Sequence, residues 1–220
     1  MKIKILNRTD SEIQFLVEKI SPAFANALRR IAMTEVPTMA IEWIDFVRND
    51  SALNDEILAN RIGLIPLTFD GKAYNLPAEC KCGGKGCSRC QVKLKLKKEG
   101  PCMIYSGDLE TGAKDVKPVF DKIPIVELFE DEKLEFEAIA QLGLGLEHAK
   151  WQAAVVGYKN KPVKEIERKD ESEETKYIED AFIFNLESIC GLKPEEIVVR
   201  AAEILEAKLK DFAKELKKLE

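Results

Sequence analysis

Residues 80–90 read C-K-C-G-G-K-G-C-S-R-C and hold four of the six cysteines of the chain. Cys80, Cys82, Cys87 and Cys90 follow the spacing C-x-C-x4-C-x2-C. Four thiolates suit a tetrahedral zinc ion, and Gly83, Gly84 and Gly86 permit the tight turns that a ligand loop needs. Zinc is the leading expectation. An iron–sulfur cluster, disulfides and unoccupied thiols remain as alternatives from these residues alone. Clustered cysteines in a reducing cytosol are better explained by metal than by disulfides. Four sulfurs fill the coordination shell, whereas a catalytic zinc keeps a position open, so the expected ion is structural.

Little else in the chain offers chemistry. The single histidine, His148, has no Ser or Cys nucleophile motif to pair with and reads as a packing histidine. The carboxylates are scattered among lysines on solvated faces. There is no G-x-x-x-x-G-K-[ST] loop and no G-x-G-x-x-G after a strand, and the G-L-G-L run at 143–146 is too short to cradle phosphate. Cys102 and Cys190 read as ordinary packing thiols. No catalytic residue is assigned.

The elements that must carry the metal loop can be traced from pattern. Ile3 and Ile5, then Ile13, Phe15 and Val17, alternate with polar residues around the turn formers N-R-T-D-S, which predicts a β-hairpin. Ser21 followed by Pro22 opens a helix that Pro37 closes, with Phe24, Leu28, Ile31 and Ala32 on one face. Residues 41–47 read as a strand, and a domain boundary is expected near Val47. A capped turn of helix follows at 55–63, and Val92, Leu94, Leu96 and then Leu134, Phe136, Ala138 predict half-exposed antiparallel strands. Residues 159–176 are charged almost throughout and predict a loop or mobile hairpin. A strand at A-F-I-F-N-L-E, a turn at Gly191 and a long helix from Lys193 complete the chain. Ile197, Ala201, Ile204, Leu205, Leu209, Phe212 and Leu216 form an apolar stripe along that helix, and a stripe of this length needs a partner surface.

The 220 residues are 45% hydrophobic and 33% charged, the balance of a soluble globular protein. The formal charge of -5 argues against a chain that holds a nucleic-acid backbone by itself, because that affinity rests on Lys and Arg. Lys81, Lys85 and Arg89 nevertheless make the cysteine loop locally basic. Without an apolar leader or an 18-residue apolar run, a cytoplasmic location is expected, with no membrane contact.

Three segments carry a family resemblance: S-P-A-F-A-N-A-L-R-R-I-A-M-T-E-V-P-T-M-A-I-E at 21–42, D-E-I-L-A-N-R-I-G-L-I-P-L at 55–67 and L-G-L-G-L-E-H-A-K-W-Q at 142–152. They resemble the D-subunit family of archaeal DNA-directed RNA polymerase, which is similar to the third-largest subunit of eukaryotic RNA polymerase II and to the amino-terminal domain of bacterial α. The resemblance implies an α+β fold. A split dimerisation domain at 1–46 and 153–220, an antiparallel sheet with two helices, is interrupted by a β-rich insert at 47–152 bearing the zinc loop. It further implies a non-catalytic assembly subunit of DNA-directed RNA polymerase, the nucleotidyltransferase of transcription.

By the same resemblance the chain heterodimerises with the small L subunit through Phe24, Leu28, Ile31 and the stripe from Ile197 to Leu216. The second-largest subunit and the small subunits N and P join it, with no direct sequence-specific DNA contact. Arg61, Gly63, Pro66, Glu147, His148, Lys150 and Trp151 are the implied subunit contacts, with shaping of the insert's own loops as the alternative. The metal loop departs from the family pattern in its x4 spacing. The absence of cysteine between Trp151 and Phe184 implies that no iron–sulfur cluster is carried there.

Overall fold

A computed structural model of the chain describes residues 1–163 and 176–219. The central part of the charged stretch, 164–175, lies outside the described residues. Two compact units emerge, one formed by Met1–Val36, Ala153–Ile189 and Lys193–Glu220, the other by Pro37–Gln152 with Cys190–Leu192.

In the first unit, strands β1 (Lys2–Arg8) and β2 (Glu12–Glu18) form the expected hairpin. Helix α1 (Pro22–Thr34) starts where the Ser21 hydroxyl accepts a hydrogen bond from the Phe24 N–H at 3.2 Å.

The second unit opens with the long strand β3 (Thr38–Asn49) and the short helix α2 (Asp55–Gly63). Acidic residues in the first turn of α2 and Arg61 in its last turn suit the helix dipole. Strands β4 (Gln91–Glu99), β5 (Cys102–Tyr105), β6 (Glu110–Thr111), β7 (Pro124–Leu128) and β8 (Lys133–Gly143) complete that unit. The chain returns to the first unit with β9 (Ala154–Pro162), β10 (Tyr177–Ser188) and helix α3 (Pro194–Leu216).

The first unit is an antiparallel sheet of order β1-β2-β10-β9. Ile13, Phe15 and Val17 register with Leu186, Phe184 and Phe182, so all six share one face. That face is buried beneath α1 and α3, and Phe15 stacks on Phe184 with ring centroids 5.0 Å apart. The first four residues of the charged stretch belong to this sheet, because β9 reaches Pro162, and β10 begins just after the stretch at Tyr177. The loop or hairpin expected over 159–176 therefore starts later, after Pro162.

The second unit has a four-stranded antiparallel sheet of order β3-β8-β4-β6 and a two-stranded sheet β5-β7. The expected boundary at 46/47 falls earlier, between Val36 and Pro37. The reason is pairing: from Thr38 to Asn49, β3 registers with β8 rather than with any strand of the first sheet. Its first four residues are buried on both faces, which gives no alternation to read. Gly191 joins this unit because its backbone lies against that of Leu67 and Thr68, leaving no room for a β-carbon.

The solvent face of the larger sheet is a charge ladder. Lys95 pairs with Glu137 at 2.6 Å, and Lys97 with Glu135 at 2.8 Å. The Lys95 hydrogen bond and charge hold the Glu137 carboxyl below the usual carboxylate range, and Glu137 holds Lys95 above the usual amine range. A depressed carboxylate contributes stability above its unfolded pKa, and this is lost as pH falls through the folded pKa. The raised lysine contributes fully below its unfolded pKa, and this is lost as pH rises through the folded one. Glu137→Gln is therefore expected to lower the melting temperature slightly at neutral pH. The difference from the parent should vanish in acid, below the depressed Glu137 pKa, which melting curves recorded across pH would show.

Candidate functional site

The cysteine loop is held by its own backbone. Cys90 and Gln91 N–H both donate to the Cys87 carbonyl at 2.9 Å, and Gly83 N–H donates to the Cys80 carbonyl at 2.9 Å. Gly83, Gly84 and Gly86 all adopt positive φ, the conformation that glycine alone takes without strain. These turns aim four sulfurs at one point. Cys80 and Cys87 stand 3.6 Å apart, Cys82 and Cys90 3.6 Å, and Cys87 and Cys90 3.7 Å. Four thiolates around a single zinc at about 2.3 Å form a tetrahedron with edges of about 3.8 Å, so the donor set fits one ion. The spacing is much too long for a disulfide, in which sulfurs lie about 2 Å apart.

The loop pulls two of its thiols in opposite directions. Hydrogen bonding from Cys80 draws the Cys82 thiol down to about 6, while burial pushes Cys90 up to about 12. The Cys87 N–H also donates to the Cys90 sulfur at 3.3 Å, a bond that supports negative charge on a ligand thiolate. Between Phe69 and Val92 the only buried side chains are Cys80 and Cys90. Lys81, Lys85 and Arg89 point outward from the loop as exposed residues. Cys102 and Cys190, expected to pack in the interior, are only half-buried.

The expected contact residues of the second and third segments divide. Arg61 is exposed and donates to the Pro124 carbonyl at 3.0 Å. Gly63 is buried, and the Pro66 carbonyl accepts from Val119 N–H at 2.9 Å, so both shape the local backbone. Trp151 is a core residue: its indole N–H donates to the Gln141 carbonyl and its own carbonyl accepts from the buried Thr38 hydroxyl. Lys150 pairs with Glu42, donates to the Ile41 carbonyl at 3.1 Å and lies over the Trp151 ring. Glu147 and His148 remain exposed; the Glu147 carboxylate accepts from Leu144 N–H, and His148 Nδ1 accepts from Lys150 N–H.

Gly143 faces Trp151 so closely that a β-carbon there would lie inside the ring's surface. Gly143→Ala is expected to cost about 3 kcal/mol, the upper range for overpacking, read as a lowered urea midpoint of the chain.

The first unit leaves an apolar surface uncovered. Ile3 and Ile5 register with Val17 and Phe15 and so lie on the same sheet face. Val17 and Phe15 are 2% and 5% exposed, yet Ile3 and Ile5 are 63% and 54% exposed. Helix α3 behaves likewise along its length. Ile197 and Ala201 are fully buried, Ile204 and Leu205 half-buried, and Leu209, Phe212 and Leu216 are 59%, 64% and 48% exposed. Leu28 and Ile31 of α1 are also buried within the unit, with Phe24 half-buried. The expected interface therefore mixes core residues with truly open ones. Ile3 and Ile5 were missed as surface residues, although their alternation in step with Phe15 and Val17 carried the signal.

The first unit is thus a sheet with two helices on one face and an apolar stripe that outruns its own support. The family model described as the RNA polymerase Rpb3/Rpb11 dimerisation domain matches residues 14–209, and the chain belongs to that family. Among individual relatives it is similar to DNA-directed RNA polymerase subunit Rpo3 of several archaea. It is 48% identical to that of Methanothermobacter thermautotrophicus over 155 residues, which cover 69% of this chain and 58% of the relative. The Methanosphaera stadtmanae protein is 45% identical over 186 residues, covering 82% and 68%. With that of Methanopyrus kandleri the identity is 33% over 267 aligned positions, covering 99% and 97%. The matched part thus spans from about three fifths to nearly all of the length of these relatives.

Proposed function

We propose that this chain is a non-catalytic assembly subunit of a DNA-directed RNA polymerase. Its first unit pairs with a smaller L-type subunit, and the pair forms a platform for the second-largest subunit and for small subunits of the N and P type. The observation that carries this reading is the uncovered apolar surface of Ile3, Ile5, Leu209, Phe212 and Leu216 in a chain of a dimerisation family. Apolar residues this exposed, on the face that elsewhere forms the core, call for a partner. A cytoplasmic location follows from the role, and no helix among the described residues is long and apolar enough to cross a membrane.

The second unit carries one structural zinc on Cys80, Cys82, Cys87 and Cys90. This assignment rests on a four-sulfur donor set within 4.8 Å and on a segment with almost no core of its own. The metal would order the loop and present its surface, while Arg61, Glu147 and His148 supply exposed groups for subunit contacts. Lys150 and Trp151 act indirectly by fixing the backbone beneath them.

Native mass of the chain alone and co-expressed with an L-type subunit tests the reading. A one-to-one complex that survives high salt is the expected result. A stable monomer that ignores the partner would overturn it. Salt-dependent DNA binding by the chain alone would instead favour a nucleic-acid module built on Lys81, Lys85 and Arg89.

A further inference from the structure

Gln91 lies where the metal loop meets the sheet, and its side chain touches both sides of that junction. It directly follows the ligand Cys90, and its N–H donates to the Cys87 carbonyl at 2.9 Å. The side-chain oxygen presses on the backbone of Gly86, the residue before Cys87, so closely that a β-carbon at 86 would overlap it. The side-chain amide reaches Gln141 Oε1 at 3.4 Å, on the strand position directly opposite in register. One side chain therefore spans from the approach to Cys87 to the far strand of a paired ladder.

The two contacts have different consequences. Strand β4 pairs with β8 from Gln91 to Glu99, so the Gln91 backbone is as rigid as the sheet. The loop from Phe69 to Val92 has no packed interior beyond two cysteines, so it has no comparable rigidity of its own. Gly86, at φ +89°, is the point where the loop turns into its second ligand pair. A side chain anchored in the sheet and resting on that turn fixes where Cys87 and Cys90 sit relative to each other before any ion arrives.

We propose that Gln91 is a positioning residue of the metal centre, holding the Cys87–Cys90 turn in its ligand geometry by bearing on Gly86 and bridging to Gln141. The inference rests on the reading of the four cysteines as a metal site. Residues that orient ligands from outside the coordination shell change metal affinity by about 10–100-fold when removed, and Gln91 belongs to that class.

The test uses the full chain and zinc itself, with affinity measured by competition against a chromophoric chelator. Gln91→Ala is expected to weaken zinc binding about tenfold or more, while cobalt substituted for zinc keeps its tetrahedral thiolate spectrum because the four ligands are unchanged. The specific contact is read from a cycle. Gly86→Ala should cost much affinity in the parent, where the new methyl meets Gln91, and clearly less in the Gln91→Ala background, where only the backbone penalty at positive φ remains. Parent-like affinity in Gln91→Ala, or losses that simply add, would overturn the role of Gln91 while leaving the metal site standing. A parent chain that takes up no zinc would overturn the metal reading itself and this inference with it.

Discussion

Replacing Leu209 and Phe212 together by glutamate is expected to abolish pairing with an L-type subunit while leaving the chain alone folded. Both side chains are more than half exposed in the single chain, so the substitution breaks no internal packing. Each contributes about 1.5–3 kcal/mol when fully buried against a partner. Placing carboxylates in the same dry contact adds a further penalty of at least about 1–3 kcal/mol. The sum exceeds about 4 kcal/mol, a thousandfold or more in affinity. Co-purification of the tagged partner, beside a thermal melt of the variant alone, measures the two effects separately. Ile197→Glu is the contrasting control: that residue is fully buried, so the variant should fail to fold in its first unit before association is ever tested. A Leu209/Phe212 variant that still co-purifies one-to-one would place the interface elsewhere.

Removal of the metal is expected to have the second large effect, confined to one part of the chain. The loop between Phe69 and Val92 buries only Cys80 and Cys90, too little apolar area to offset the entropy of ordering it. In small metal-dependent folds the ion supplies that stability, with apparent binding free energies of about 10–16 kcal/mol for structural zinc. Chelation, or Cys90→Ser, should therefore raise amide exchange across residues 75–91 by orders of magnitude. Strands β2 and β10 and the first turns of α3 should keep their protection. Elemental analysis of the parent should give one zinc per chain. Protection of residues 75–91 that survives complete loss of metal would show that the loop is ordered by other means.

Local signals were legible in the sequence where one residue type decides the outcome. Ser21 and Pro22 marked the start of α1, the alternation in 92–96 and 134–138 marked β4 and β8, and the cysteine spacing marked the ligand loop. What could not be read locally was partnership. The strand at 41–47 was visible, but its pairing with a strand a hundred residues later, which moved the boundary to Val36, is decided by long-range register. The same limit hid the separation of Ile197 from Leu209. A helical stripe shows which face is apolar, but where its own core ends depends on how far the sheet beneath it extends. Lys150 and Trp151 stood as subunit contacts only through the family resemblance, beside the alternative that they shape the insert's own loops; the Glu42 partner and the close fit of Gly143 against the Trp151 ring turn them inward.

The order in which the first unit is strung along the chain governs its birth on the ribosome. Its hairpin is made first, yet the strand that must pair with β2 comes only after Pro37–Gln152, the bulk of the second unit: Gln14 bonds to Asn185, 171 residues further on. Closing so long a loop is entropically costly, and prior folding of the intervening residues shortens the effective span. A nascent chain therefore passes through a stage at which Pro37–Gln152 has been made while the β1-β2 hairpin still lacks its neighbour β10. Helix α3, which carries the open apolar end, is translated after every strand it rests on. On the pairing proposed above, a truncated or stalled product would present no finished docking surface, and partner recruitment would become a check that translation has run through to that helix.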